Sequence, residues 1–205
     1  MNDKASQLDD LARSLHDCSR CSLSETRINI VVGSGSPDAP VMFVGEAPGY
    51  NEDVQGLPFV GAAGRLLDEL LKEILGLTRD AVYIANVLKC RPPENRDPTA
   101  LEVETCRPFL LRQVDIISPR IVCALGNFAT RTLTERREGI TKLRRKVIKA
   151  GGRYVFPMFH PAAALHRGDL YEDVRLDFVT LKKFLDSPEL SDEAVGQDSS
   201  QMELF

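Results

Sequence analysis

Cys18 and Cys21 form a Cys-x-x-Cys near the start of the chain, and Cys90 and Cys106 stand far downstream with fifteen residues between them. A Cys-x-x-Cys turn can offer two thiolates to one ion or cluster, and a remote pair can complete four sulfur ligands once folding joins the segments. Such a centre would staple the N-terminal segment to the middle of the chain. Spacing alone does not choose between zinc and iron-sulfur. Disulfides are the rival reading, but five cysteines and no apolar leader after Met1 read as a protein of the reducing cytoplasm. Cys123 lies in the apolar run Ile121–Leu125 and is expected to pack as a small buried hydrophobe, outside any such centre.

A second set of chemically useful residues sits in loops that follow apolar runs. Gly45-Glu46-Ala47-Pro48-Gly49, with Glu52 and Asp53 just beyond, follows Val41–Val44; Asn86 follows Val82–Ala85; His160-Pro161 follows Tyr154–Phe156. Singly, each has an ordinary structural explanation as a turn or cap. Together they would bring carboxylate, amide and imidazole into one pocket. Phe59, between Pro58 and Gly61, adds a ring on a constrained loop, so a planar polar ligand is implied.

The elements that must position these residues alternate between strand and helix. Leu66, Leu67, Leu70, Leu71 and Ile74 recur at helical spacing after the first loop, Leu101–Ile117 reads as a helix, and so does Asp173–Leu185. The expected fold is α/β: a single domain with a central, mainly parallel four-stranded sheet flanked by helices. Ligands of open α/β sheets bind beyond the C-terminal ends of the strands, where these loops fall. The domain is expected over residues 1–186, with 187–205 as an acidic tail. No apolar run is long enough to span a bilayer, and a monomer is expected.

The formal net charge of -4 is unevenly placed. Residues 184–205 hold six acidic side chains and no Lys or Arg, which leaves 24 acidic against 26 basic residues elsewhere. Arg131–Arg153 alone holds nine basic residues against two acidic ones. That stretch reads either as a solvated surface or as a surface for phosphates. Arg144, Arg145 and Lys146 are its candidate phosphate contacts.

These motifs resemble the iron-sulfur uracil-DNA glycosylases of bacteria and archaea, called family 4. The resemblance rests on Gly45-Glu46-Ala47-Pro48-Gly49-x-x-Glu52-Asp53, Pro58-Phe59-Val60-Gly61-x-Ala63-Gly64, Asn86-x-x-Lys89-Cys90-Arg91-Pro92-Pro93, Cys106-Arg107-Pro108 and Pro157-Met158-Phe159-His160-Pro161, in the family's order from Cys18 to Leu185. It implies a 4Fe-4S cluster on Cys18, Cys21, Cys90 and Cys106, and hydrolysis of the uracil–deoxyribose bond in DNA. In that scheme Asn86 reads the uracil edge, Phe59 stacks on the flipped base and His160 donates to O2 of the leaving group. Glu46, Ala47 and Pro48 shape the pocket. Glu46, Glu52 and Asp53 are the candidate catalytic carboxylates, Glu46 supporting the first loop and pocket and Glu52 or Asp53 positioning water or stabilising the sugar cation. The runner-up is a non-catalytic DNA-binding or polymerase-accessory module that keeps the fold and cluster.

The chain departs from the best-known uracil glycosylases, whose loop resembles Gly-Gln-Asp-Pro-Tyr. Ala47 stands where their water-orienting Asp does, and Gly49 replaces the Tyr that blocks thymine, so that task falls to other packing such as Glu46 or Tyr50. Leu165 is the candidate wedge for the vacated base stack and Arg167 a candidate phosphate contact. The last residues, Gln201, Met202, Glu203, Leu204 and Phe205, resemble a peptide that binds the replication sliding clamp, with Gln201, Met202, Leu204 and Phe205 as its contacts.

Overall fold

Four strands are apolar almost without interruption, as expected of parallel strands covered on both faces. They are β2 (Val41–Gly45), β3 (Tyr83–Asn86), β4 (Ile121–Leu125) and β6 (Arg153–Met158), with every residue of β2, β3 and β4 buried. In the computed structural model, which describes residues 3–187, they lie side by side and parallel in the order β3-β2-β4-β6. Two short strands extend this core: β1 (Ser34–Gly35) pairs antiparallel with β3, and β5 (Ile148–Ala150) antiparallel with β6. The sheet is therefore six-stranded and mixed, around the parallel four-stranded core that the sequence predicts. The edge strands escape the pattern because two or three residues give too little alternation to read.

Strand periodicity divides the core in two. Val41 and Phe43 of β2 face one layer, where Leu67 and Leu70 of α3 (Ala62–Leu70) meet Phe178 and Leu181 of α8 (Tyr171–Asp186). Phe43 stacks on Phe178 with centroids 5.9 Å apart. Met42 and Val44 face the other layer, against Leu110, Val114 and Ile117 of α4 (Ala100–Ile117). Helix α1 (Lys4–Leu15) packs outside α4, and Lys4 donates to the carbonyl of Ile117 at 2.8 Å. Cys123 is fully buried in β4, and burial drives its pKa well above the usual thiol value. Among the described residues no helix is long and apolar enough to cross a membrane.

Strand β6 runs through Pro157 to Met158 rather than stopping at Pro157. Its partner β5 ends opposite Val155, so the missing N–H of Pro157 falls on a side of β6 with no ladder to complete. Beyond β6 the chain enters α7 (Pro161–His166). Helices α5 (Gly126–Thr134) and α6 (Ile140–Leu143) lie between β4 and β5. The proposed clamp peptide, Gln201 to Phe205, lies outside the described residues.

Candidate active site

The loops after β2, β3 and β6 meet at the C-terminal end of the sheet. They enclose a recess of about 220 Å³ lined by Glu46, Ala47, Pro48, Gly49, Glu52, Phe59, Ala63, Asn86, Asn95 and His160. That is below the ~300–1,000 Å³ of pockets for drug-sized ligands, and suits one small ring.

Glycine at position 45 lets the walls close. A Cβ on Gly45 would lie 2.4 Å from Oδ1 of Asn86 and 2.7 Å from the Phe59 ring, contacts no side chain tolerates. Gly64 does the same for helix α3, where a Cβ would come within 1.8 Å of the Phe59 carbonyl oxygen. Phe59 itself has φ +53°, an unusual conformation for an aromatic residue. Glu52 fixes this loop. Its Oε1 accepts from the N–H groups of Val60 (2.9 Å) and Gly61 (2.8 Å), and its Oε2 from Gly49 N–H at 3.2 Å. One carboxylate in α2 (Tyr50–Gln55) thereby ties the first loop to the second.

Asp53, one residue on, does not reach the recess, which corrects its place among the catalytic candidates. Its side chain is buried beneath the N-terminal segment, where Oδ1 accepts from the N–H groups of Ile28 (2.9 Å) and Asn29 (3.1 Å). Helical geometry explains the split, because consecutive residues point about 100° apart.

Asn86 ends β3 and is only 2% exposed, yet its Oδ1 has no hydrogen-bond partner. A buried polar atom left unpaired costs free energy that a ligand can recover. Behind it the fully buried Lys89 donates to the Asn86 carbonyl (2.8 Å) and to Oε1 of Gln113 (2.6 Å). Burial lowers the Lys89 pKa to about 7, against the upward pull of the Cys106 and Cys90 sulfurs.

His160 caps α7. Its Nδ1 accepts from the N–H of Ala162 at 3.1 Å, so the ring proton belongs on Nε2. Burial lowers its pKa to about 4, only partly offset by Glu52, and the imidazole is neutral at physiological pH. The ring stacks on Phe59 with centroids 5.4 Å apart. Glu46 is pushed the other way, up to about 7, by burial and then by Asp97.

Asn95 was not singled out from the sequence. Its backbone is left-handed (φ +56°), and its Oδ1 accepts from Nε of Arg91 at 2.7 Å. Arg96 and Glu102 hold this loop to α4 through bonds of 2.9 and 2.6 Å, and that pairing draws the Glu102 pKa down to about 2. The available signal was a short polar side chain in a Pro-rich strand-end loop, since Asn tolerates left-handed turns. Tyr50 is 58% exposed and lies under the Arg91 guanidinium, not in the recess.

The basic candidates divide. Arg144 is 8% exposed and bound to Asp173 and Asp177, so it is corrected from a phosphate contact to a buried structural charge. Arg145 lies within 3.5 Å of Asp177. Arg167 pairs with Asp169 at 2.7 Å, while Lys146 is exposed and Leu165 is 50% exposed on α7.

The four cysteines also converge. Cys18 and Cys21 follow α1, Cys90 follows β3, and Cys106 lies on α4. Burial raises Cys90 to about 11, with Arg27 pulling down and Cys106 and Cys21 pushing up. Cys106 is raised by burial, opposed by Lys89, with Cys21 and Cys18 pushing it further up. Nη1 of Arg27 stands 3.5 Å from the Cys90 sulfur. Among the described residues no three Cys, His or carboxylate side chains close around a single ion.

Residues 32–180 match the uracil DNA glycosylase superfamily. A Type-4 uracil-DNA glycosylase of Sulfurisphaera tokodaii is 46% identical, over 88% of this chain and 86% of its own length. One from Archaeoglobus fulgidus is 46% identical over 83% and 89%, and one from Thermotoga maritima 45% over 82% and 89%. With its recess at the strand ends and its four gathered cysteines, the chain belongs to the uracil-DNA glycosylase superfamily and, within it, to the type-4 group.

Proposed function

We propose that this protein excises uracil from DNA as the first step of base excision repair, releasing the free base and leaving an abasic site. The observation that carries the reading is the unpartnered amide oxygen of Asn86, buried beside Phe59 and His160 in a recess sized for one base. A duplex base must leave the stack to be reached. In the recess Phe59 lies against its face, and the Asn86 amide accepts from N3–H and donates to O4, a pattern cytosine reverses. Glu46, Ala47 and Pro48 close the remaining edge.

As the C1′–N1 bond breaks, its electron pair leaves with the base and charge develops on O2. Neutral His160 donates from Nε2–H to that oxygen, an interaction concentrated in the transition state. Ionised Glu46 faces the sugar cation that remains, and water adds to C1′ while its proton passes to the uracil anion, which departs as neutral uracil. Glu52 acts through the loops it holds. Lys146, Arg145 and Arg167 flank the DNA backbone, and Leu165 fills the vacated stack. The catalytic reading outranks a non-catalytic accessory because it gives Glu46, Glu52, Asn86 and His160 each a task.

Cys18, Cys21, Cys90 and Cys106 would hold a 4Fe-4S cluster. Four thiols fit it, and so do N–H donors near two sulfurs, from Arg27 and the Lys89 backbone. The cluster supplies a cross-link between the N-terminal segment and α4. This activity belongs in the cytoplasm, where thiols stay reduced. The Gln201–Phe205 peptide would tether the enzyme to the sliding clamp, and a fluorescence titration of that peptide checks it.

A gel assay on a uracil-containing oligonucleotide tests the function. Alkali-labile abasic sites and free uracil are expected from uracil strands and not from thymine strands. An iron-loaded, DNA-binding protein that releases no uracil would overturn it.

A further inference from the structure

His160 can serve the leaving base only if the backbone between β6 and α7 is held to a fraction of an ångström, and that backbone has its own clamp. The N–H of Phe159, the residue before His160, donates to Oδ2 of Asp177 at 2.9 Å. The carbonyl of Pro157 accepts from the N–H of Arg145 at 3.1 Å. Asp177 is fully buried in α8. Its second oxygen accepts from both Nε (2.9 Å) and Nη2 (2.7 Å) of Arg144. Arg144 reaches on to Oδ1 of Asp173 at 2.8 Å, and its guanidinium lies 4.0 Å from the centre of the Phe159 ring.

Two features mark this as more than packing. Arg145 holds φ +64°, a backbone conformation that a non-glycine residue keeps only where its surroundings over-determine it. The ion pair is also an uneconomical way to fill space, because a buried pair replaced by apolar residues of similar volume often leaves stability unchanged or raised. What apolar residues cannot supply is an acceptor for Phe159 N–H and a flat charged surface under its ring. Those contacts lie one residue from the imidazole.

We propose that Asp177 and Arg144 are positioning residues for His160, a buried ion pair that sets the strand-end backbone so that the imidazole Nε2–H meets the departing base. The proposal rests on the catalytic reading of His160. Neither residue touches substrate, so their loss should slow the chemical step far more than it changes DNA affinity, which Asp177 reaches only through its 3.5 Å contact with Arg145.

The test compares Asp177→Asn, the double variant Arg144→Met with Asp177→Leu, and His160→Ala in the iron-loaded full chain. Single-turnover excision, DNA affinity and melting temperature are measured for each. Misplacement by about 1 Å can cost on the order of 100-fold in rate. A drop of about 10- to 100-fold in rate is therefore expected for both clamp variants, larger than any change in DNA affinity. The decisive readout replaces uracil by 5-fluorouracil, a better leaving group that needs less help at O2. The deficits of the clamp variants should shrink with it, in step with that of His160→Ala, which a general loss of stability would not produce. Asp177→Asn keeps the size of the side chain but removes the charge that holds Arg144 under the Phe159 ring, so it carries the test if the double variant does not fold. Clamp variants that excise at the wild-type rate, or whose deficits are the same on both bases, overturn the inference while leaving a defective His160→Ala to support its catalytic role. A fully active His160→Ala overturns both.

Discussion

Two recesses open at opposite ends of the sheet, and the larger is the less reactive. At the N-terminal ends of β4 and β6 a recess of about 550 Å³ is lined by Asp115, Ser118, Arg120, Gly151, Arg153 and Tyr154, among others. Its charges are spent on the protein. Arg153 pairs with Asp115, and Arg120 donates to the carbonyls of Leu185 (3.0 Å) and Ser187 (2.6 Å). The recess at the other end is less than half that volume, about 220 Å³, but it holds an orphaned amide oxygen, a carboxyl raised to about 7 and an imidazole lowered to about 4. Volume records where the chain happens not to fill space. Unspent, desolvated polar groups record where a ligand is meant to complete it.

Filling the smaller recess should have the largest effect. Gly45→Ala drives a methyl into Asn86 and Phe59, and uracil excision should fall by at least the ~10²- to 10³-fold expected when one charge-stabilising donor is lost. Removing a ligand of the proposed cluster comes next. Cys90→Ser should lower iron content and melting temperature, whereas Cys123→Ser should leave both unchanged; a colourless, zinc-loaded, fully active protein would break this part of the account.

The raised and lowered pKa values give signed expectations. Glu46 is ionised only above about 7, so excision should rise as pH passes through 7, and Glu46→Gln should lose that inflection. His160, neutral above about 4, contributes none. Stability moves oppositely for the two groups. The contribution of Glu46, whose folded pKa is raised, is present below 4.5 and lost as pH rises through 7. The contribution of His160, whose folded pKa is lowered, is present above 6.5 and lost as pH falls toward 4. Denaturation of Glu46→Gln should therefore show stability climbing more steeply than wild type between pH 4.5 and 6.5. The smallest effect belongs to the larger recess: Arg153→Ala should change stability by under about 1 kcal/mol, as exposed ion pairs do, and leave excision unchanged.

The parallel core was legible because β2 and β4 are continuous apolar runs, and the loops at their ends could be ranked by chemistry before any contact was known. Asn86, Phe59 and His160 do meet. What escaped the sequence depends on direction and partnership. Glu52 and Asp53 look equivalent as letters, but one turns toward the loops of the recess and the other under the N-terminal segment. Arg144 sits in a basic run that reads as surface, and only the placement of Asp173 and Asp177 one helical turn apart on α8 shows why it is buried. Asn95 depends on a left-handed turn after two prolines, which spacing does not encode.

Single-turnover release of uracil from one oligonucleotide, measured side by side for wild type, Asn86→Ala, His160→Ala and Arg153→Ala, tests the central claim most directly. The first two variants should each be slower by about 10²- to 10³-fold with unchanged affinity for undamaged DNA, and the third should match wild type. Excision by either pocket variant within about tenfold of wild type, or a comparable loss in Arg153→Ala, would contradict the assignment of catalysis to the smaller recess.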